Sequence, residues 1–192
     1  MLHAFCTENN LETVESRDAE GRLERWQRNK QDFAKEGLYQ RFYPEGALAE
    51  EAHYVHDSLD GERKFFYKNG HVESVEHYQN GIFHGKYLKY NENGNLLIEQ
   101  EFVNGTMQGL SLAYYPNGVL KEKYTMKDNE ENGPFQEFYE TGVLQTEGTY
   151  APGKDGTAEQ GELKQYDENG QLIRIADCKD GICLTKWQKK QK

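Results

Sequence analysis

The sequence predicts an all-β fold, an elongated, twisted antiparallel meander built from β-hairpin repeats of 24 residues. One observation is a glycine every 24 residues, at Gly37, Gly61, Gly85, Gly109 and Gly133. A second glycine series keeps the same step, at Gly46, Gly70, Gly94, Gly118 and Gly142. The third observation is an Asn-Gly or related turn pair twice per period, with strand-like segments between the turns. Repeats of this length stack one supersecondary unit on the next, so function belongs to the surface that the copies form together.

The first element is a degenerate unit ahead of the regular array. Residues 18–23 match the turn and following aliphatic residue of later units, but the step from Gly21 to Gly37 is one residue longer than its equivalents. Terminal repeats are typically atypical and act as caps. We therefore predict an N-terminal segment and cap over residues 1–36, the repeat array over 37–183, and a C-terminal cap with a basic tail over 184–192.

The units of the array align on the second glycine series. They read FYPEGALAEEAHY from Phe42, FYKNGHVESVEHY from Phe66, YNENGNLLIEQEF from Tyr90, YYPNGVLKEKYTM from Tyr114 and FYETGVLQTEGTY from Phe138. Two-residue Asn-Gly turns suit the positive φ angles of type I′ hairpins, so both turns of each unit are predicted to be tight strand reversals.

Pairing across these turns assigns the side chains to faces. The predicted pairs are Tyr78 with Phe83, Glu76 with Gly85, Ser74 with Tyr87, Phe102 with Met107, and Gln100 with Gly109. One face then collects most of the tyrosines together with the first glycine series, and the other, wetter face carries mainly Lys, Glu, His and Gln. Because glycine weakens a strand, we interpret that series as clearing room for aromatic rings to lie over the backbone.

Composition restricts the partners. A net charge of −10 and a pI of about 5.1 argue against nucleic acid and anionic membrane surfaces as partners, and they favour a basic protein. No apolar run approaches the ~18 residues that span a bilayer. Residues 1–10 lack the basic start and apolar stretch of a signal peptide, so a cytoplasmic location is expected.

The three cysteines do not form an evident disulfide framework. Cys178 and Cys183 occupy the cross-strand positions that Tyr78 and Phe83 hold in an earlier unit. A hairpin disulfide fits this geometry, but two reduced, partly buried thiols are the expectation for a cytoplasmic protein. Cys6 lies outside the repeat, with no partner in the sequence that marks it as a nucleophile.

The recurring Tyr-Tyr-x-Asn-Gly-x-Leu and Tyr-x-Asn-Gly-x-x-x-Gly segments resemble MORN repeats, in particular the bacterial variant found in proteins described as antitoxins. The resemblance covers roughly residues 38–184 and is cleanest from Phe66 to Gly85. It implies a twisted single-sheet interaction scaffold that neutralises a toxin by binding it. Eukaryotic relatives imply the alternative, a structural or membrane-associated scaffold. The family brings no catalytic residues to carry over.

The sequence contains no phosphate-binding loop, nucleophile elbow or metal-binding helix motif, so we predict no enzyme and no cofactor. The one arrangement that suggests chemistry is His77 with His84, predicted as cross-strand neighbours with Glu62 beside His77. Such side chains can bind a divalent metal, and a solvated polar ladder looks the same. An enzyme is therefore only a third hypothesis, after the toxin-binding scaffold and the structural or membrane-associated scaffold.

We predict that an acidic, tyrosine-rich face binds a protein partner, because tyrosine supplies amphipathic contact area at low entropy cost. The candidate contacts are Tyr54, Tyr67, Tyr78, Tyr87, Tyr115 and Tyr139, with Glu50, Glu76, Glu122 and Glu137 on the same face, and Asp128, Glu130 and Glu131 at an acidic turn. The alternative for each tyrosine is packing against its neighbours. A further candidate is the insertion at 151–159, predicted as a longer loop.

Overall fold

The computed structural model describes residues 10–190, which form 18 β-strands. The strand pairings are antiparallel and join each strand to its neighbours in the chain, and no helix occurs in residues 10–190. The predicted all-β meander of hairpin repeats is therefore confirmed. It follows that these residues hold no helix long and apolar enough to cross a membrane. Cys6 and most of the segment considered as a signal peptide lie outside the described residues.

The chain separates into two compact units, Met1–Phe83 and His84–Lys192. In a repeat array each copy packs mainly on its neighbours, so periodicity alone does not show where compact units divide.

The first unit is a meander that begins with the degenerate hairpin. Its strands are β1 (Leu11–Arg17), β2 (Leu23–Asn29), β3 (Lys35–Phe42), β4 (Leu48–Val55), β5 (Ser58–Phe66), β6 (Val72–Gln79) and β7 (Ile82–Phe83).

The second unit continues the same hairpin pattern with longer and shorter variants. Its strands are β8 (Gly85–Tyr90), β9 (Leu96–Val103), β10 (Thr106–Met107), β11 (Gly109–Tyr114), β12 (Leu120–Lys127), β13 (Glu130–Phe138), β14 (Leu144–Gly153), β15 (Gly156–Glu159), β16 (Gly161–Tyr166), β17 (Leu172–Lys179) and β18 (Ile182–Gln188).

At most one of the two turns in a repeat is the predicted type I′ turn, and in the repeat with the turn at residues 154 and 155 neither is. Asn80 and Gly81 have φ angles of 50° and 77°, as that turn requires. At the other turn Gly70 has a φ of 86°, while Asn69 stays outside the positive region. Gly70 N donates to the carbonyl of Tyr67 at 2.9 Å. This turn is therefore a type I turn that ends in a left-handed glycine, and the prediction of type I′ geometry is wrong here.

Two of the predicted cross-strand pairs are confirmed, Tyr78 with Phe83 and Phe102 with Met107. The predicted pair of Gln100 with Gly109 is wrong, because Gln100 Nε2 donates to Ser111 Oγ at 3.3 Å instead. The pairing of β9 shifts by two residues between β10 and β11, where Gly109 has a φ of 77°. A shift of two keeps every side chain on its predicted face.

The first glycine series has a different cause from the one predicted. Gly61, Gly109 and Gly133 have φ angles of 106°, 77° and 115°, which favour glycine over residues that carry a Cβ. A Cβ on Gly109 would have no neighbour within 4 Å, and one on Gly133 would meet Thr125 at 3.4 Å, not an aromatic ring. These glycines lie where the register with the preceding strand shifts, so they serve the backbone there, and the interpretation as room for rings is wrong for them.

Candidate functional site

In the first unit, the aromatic face is built around a buried carboxylate. Glu50 is 3% exposed. Arg63 Nε donates to one of its oxygens at 2.7 Å, and Arg41 Nη2 forms an ion pair with the other at 2.8 Å. Arg63 also lies 3.6 Å from Glu76. Glu50 was predicted to be a surface contact, but burial removes it from the surface, and the two guanidinium groups compensate the cost of burying its charge.

Two candidate tyrosines of this unit pack against other rings. Tyr54 lies edge-on to Tyr39 with ring centroids 5.7 Å apart. Tyr78 lies edge-on to Phe83 at 5.0 Å, and its hydroxyl donates to Glu76 at 3.0 Å. Burial raises the pKa of Tyr54 and of Tyr78, so both hydroxyls stay protonated at neutral pH. Both side chains are half-buried and keep only part of their surface for a partner.

Two more candidates, Tyr115 and Tyr139, each follow another aromatic residue just before a turn, and they make the same kind of contact. Tyr115 donates its hydroxyl to the carbonyl of Phe138 at 2.8 Å, and Tyr139 donates to the carbonyl of Tyr166 at 2.8 Å. These bonds tie each turn to the next repeat. The remaining candidates, Tyr67 and Tyr87, are half-buried and are also engaged in contacts. The six rings thus stabilise the array, and their exposed edges contribute to its surface.

In the second unit, the aromatic face carries carboxylates that oppose each other. Glu122 of β12 pairs directly across from Glu137 of β13. Burial raises the pKa of Glu131, and the charges of Glu122 and Glu159 raise it further. Like charges directly opposite on a sheet are destabilising. We call Glu122, Glu131, Glu137 and Glu159 the carboxylate cluster.

The carboxylate cluster also affects Tyr150. Burial raises the pKa of Tyr150 to about 12, and the negative charges of Glu131 and Glu159 contribute to that rise. Its ring stacks on the buried Phe135 with centroids 4.3 Å apart and planes 24° apart. An added Cβ on Gly148 would lie 2.7 Å from the Phe135 ring. Gly148 is therefore the glycine that makes room for a ring, and its place outside both glycine series was the signal that sequence reasoning missed.

The repeat itself shows what the cluster lacks. Glu122 lies 72 residues after Glu50, three full periods, at the equivalent position. The same step takes Arg41 to Ala113 and Arg63 to Phe135. The carboxylate has kept its position while both of its guanidinium partners have been replaced by uncharged side chains.

The acidic turn predicted to hold Asp128, Glu130 and Glu131 is shorter than expected. Asp128 and Asn129 alone form the turn, with φ angles of 55° and 69°. Asp128 accepts a hydrogen bond from Gln108 Nε2 at 2.6 Å. Glu130 is exposed at the start of β13, opposite Lys127, and Glu131 follows it in the strand. Asp128 and Glu130 therefore lie at an exposed hairpin tip.

The insertion at 151–159 does not form the longer loop that was predicted. Strands β14 and β15 pair through Pro152 with Thr157 and Gly153 with Gly156. Only residues 154 and 155 remain as a turn. The added residues lengthen the hairpin because they continue its register.

Cys178 and Cys183 are joined in a disulfide, with Cα atoms 4.0 Å apart. The expectation of reduced thiols is wrong in this structure. The residues are paired directly across β17 and β18, a cross-strand position close enough to be bridged.

The histidine arrangement is a surface contact. His77 Nε2 lies 3.4 Å from Glu62 Oε1, and the two residues pair across β5 and β6 as predicted. His84 Nδ1 lies 3.3 Å from the backbone nitrogen of Asn104. Among residues 10–190, no three or more His, Cys, Asp or Glu side chains are placed to hold a metal ion together.

Comparison with known proteins identifies the repeat. A family model described as a MORN repeat variant matches six segments, residues 35–56, 59–80, 83–104, 107–128, 131–151 and 159–178. None of the curated proteins matches the chain. Among solved structures, a porin-like protein from Bacteroides uniformis ATCC 8492 is similar at 8% identity over 91% of this chain and 92% of that one. Its TM-score of 0.22 is too low to carry an argument about fold or function.

Proposed function

Because the chain belongs to the MORN repeat variant family, we propose that it is a non-enzymatic binding scaffold whose carboxylate cluster receives a basic protein. MORN repeats are consistent with a binding or scaffold role. The observation that carries the proposal is the opposed pair Glu122 and Glu137. Neither carboxylate forms an ion pair with another side chain of residues 10–190.

The first unit supports the chemistry of the partner. There, the equivalent carboxylate Glu50 is held by Arg41 and Arg63. A partner that presents arginine or lysine side chains to Glu122 and Glu137 supplies the charge that the second unit lacks. Two opposed carboxylates relieve their repulsion when a guanidinium lies between them, because charge-assisted hydrogen bonds replace like-charge contact.

Two further features favour a basic partner. The net charge of −10 attracts it over a distance and raises the association rate. The half-buried rings beside the cluster, such as Tyr150, add apolar contact area that needs little ordering on binding.

The finer proposal, which rests on the family resemblance alone, is that the partner is a toxin and that binding neutralises it. We also propose a cytoplasmic location, which cell fractionation tests. The structural or membrane-associated scaffold is the competing proposal. Flotation with anionic vesicles at physiological salt separates the two, because co-flotation of the chain supports the membrane scaffold and argues against a soluble inhibitor.

The test is affinity capture from a lysate of the native host. Wild type is compared with Glu122→Gln/Glu137→Gln and with a control of equal charge change, Glu140→Gln/Glu168→Gln, at exposed turn positions of the same unit. We expect a basic protein on wild type and control and its loss on the cluster variant. Equal loss on both variants shows a general charge effect and contradicts the proposal.

A growth assay then addresses neutralisation. The captured protein is expressed alone and together with wild type or the cluster variant. Toxicity that wild type relieves and the cluster variant does not supports the antitoxin role. If the captured protein is harmless when expressed alone, the antitoxin role is contradicted, while the proposal of a binding scaffold still stands.

A further inference from the structure

A disulfide joins the last strand, β18, to the buried core of the second unit. Within β18 the side chain of Cys183 is half-buried and the others are exposed. Cys183 packs against a buried group formed by Phe135, Leu163, Ala176 and Cys178. Its sulfur is bonded to that of Cys178, which is 5% exposed. The disulfide therefore fixes the side chain by which β18 reaches the core.

The turn between β17 and β18, which this disulfide closes, holds a member of the carboxylate cluster. Gly181 N donates to the carbonyl of Glu159 at 3.2 Å. Asp180 accepts a hydrogen bond from Gln160 Nε2 at 2.9 Å. A Cβ added to Gly181 would lie 3.6 Å from Oε2 of Glu159, so the carboxylate lies over the turn. The position of Glu159 thus depends on the hairpin that the disulfide closes.

Glu159 adds to the negative charge that the proposed basic partner meets. It pairs with Tyr150 across β14 and β15. Burial raises the pKa of Tyr150 and that of Glu131, and the charge of Glu159 adds to both rises. Tyr150 also packs against the buried group that contains Cys178. The disulfide therefore supports the carboxylate cluster in two places, through the turn under Glu159 and through the ring of Tyr150.

We propose that the disulfide of Cys178 and Cys183 is a redox switch that holds Glu159 in the carboxylate cluster while it is oxidised. This switch rests on the proposed function and adds regulation to it, because the oxidised chain then binds a basic protein more tightly than the reduced chain does. Two thiols need more room than two bonded sulfur atoms. Cys178 is enclosed by the close-packed core, so Cys183 and the turn move outward on reduction, and the bond from Gly181 to Glu159 is lost.

The reductant is a dithiol. One of its sulfur atoms, as a thiolate, attacks Sγ of Cys183, the more exposed of the two cysteines, and Cys178 leaves as a thiolate. The second sulfur of the reductant then attacks the first in the mixed disulfide and releases Cys183. The two protons of the dithiol end on Cys178 and Cys183, so two electrons pass to the protein and the reductant becomes a disulfide. Disulfides in a reducing cytoplasm are typically transient and redox-sensing, so this role agrees with the proposed cytoplasmic location.

Hydrogen exchange of the full-length chain tests the structural step. Every protein carries Cys6→Ser, so that Cys178 and Cys183 alone respond to the dithiol. After reduction with dithiothreitol we expect the amide of Gly181 to exchange at least tenfold faster. The amide of Gly118, which donates to the carbonyl of Tyr115 at a distant turn of the same unit, should not change. Cys178→Ser/Cys183→Ser should show the fast rate with and without dithiothreitol. An equal rate at Gly181 before and after reduction overturns the inference.

Binding of a peptide of eight arginines tests the regulation. We expect the oxidised chain to bind it about threefold to fivefold more tightly than the reduced chain, the effect of one nearby charge. Glu159→Gln should bind like the reduced chain in both redox states, while Glu168→Gln, at an exposed turn, should keep the difference. Equal binding by the oxidised and reduced chains overturns the inference.

A failure of the proposed function gives a different result. In that case the oxidised chain binds the peptide no better than Glu122→Gln/Glu137→Gln does. Exchange at Gly181 does not depend on any partner, so it still decides whether the disulfide holds Glu159 in place.

Discussion

Replacing Glu50 with alanine removes the buried carboxylate that holds Arg41 and Arg63. Glu50 accepts a hydrogen bond from Arg63 at 2.7 Å and lies 2.8 Å from Arg41, and it is the member of the network that is shielded from water. The substitution leaves two guanidinium groups without their anion on the aromatic face of the first unit. We expect a large loss of stability, because a buried ion pair that loses one partner leaves an uncompensated charge.

The magnitude follows from the exposure of the arginines. Removal of one partner from a buried pair costs about 3–5 kcal/mol. The side chains of Arg41 and Arg63 are 30% and 28% exposed, so water recovers part of this cost. We therefore expect the lower end, a loss of about 3 kcal/mol. With a urea m-value of about 1.5 kcal/mol/M, the midpoint falls by about 2 M.

Tryptophan fluorescence measures this loss in the first unit alone. The chain has two tryptophans, Trp26 in β2 and Trp187 in β18. In a Trp187→Phe background, the signal of Trp26 follows unfolding of Met1–Phe83. The control is Glu51→Ala, which removes a carboxylate that accepts one bond from Gln40 at 2.9 Å and should cost at most about 1 kcal/mol. A Glu50→Ala midpoint within the range of that control refutes the buried-network reasoning.

Three further changes test the second unit. Gly148→Ala should cost about 1–3 kcal/mol in urea unfolding because its Cβ meets the Phe135 ring, and Phe135→Leu should recover part of that cost; equal losses in both backgrounds count against this packing. The pKa of Glu131 is raised in the folded state, so its protonation stabilises the folded protein. This stabilisation is fully present below the pKa of the unfolded chain and is lost as pH rises through the pKa of the folded state. Glu131→Gln should therefore raise the urea midpoint at neutral pH and leave it unchanged at about pH 3; a lower midpoint at neutral pH contradicts the assignment. Cys178→Ser/Cys183→Ser opens a disulfide with a sequence separation of 5 and should cost about 2 kcal/mol, measured by Trp187 fluorescence against the oxidised chain; an unchanged midpoint shows that the bond adds nothing.

Periodicity predicted the hairpins because turn chemistry is local. Asn80 and Gly81 adopt the positive φ angles that their residue types favour, and Tyr78 then pairs with Phe83. The predicted pair of Gln100 with Gly109 was wrong because the strand pairing is interrupted at Gly109 and resumes in a shifted register. A single sequence does not show which glycine in a strand interrupts the pairing.

The candidate site was less predictable than the fold. Alternation placed Glu50 on the aromatic face, but whether a carboxylate on a face is buried depends on the partners that flank it across the strands. Arg41 and Arg63 supply those partners for Glu50, while Ala113 and Phe135 stand at the equivalent positions beside Glu122. Comparison of equivalent positions across three periods shows this difference, which no single repeat reveals.

The carboxylate cluster as a receptor for a basic protein is tested most directly by the affinity of the captured partner. Titration calorimetry compares wild type, Glu122→Gln/Glu137→Gln and the control Glu140→Gln/Glu168→Gln at low and physiological salt. We predict that the cluster variant binds at least tenfold more weakly, about 1.4 kcal/mol, and that its affinity depends less on salt than that of wild type. The control should bind like wild type. A cluster variant whose affinity and salt dependence match those of the control contradicts the central claim.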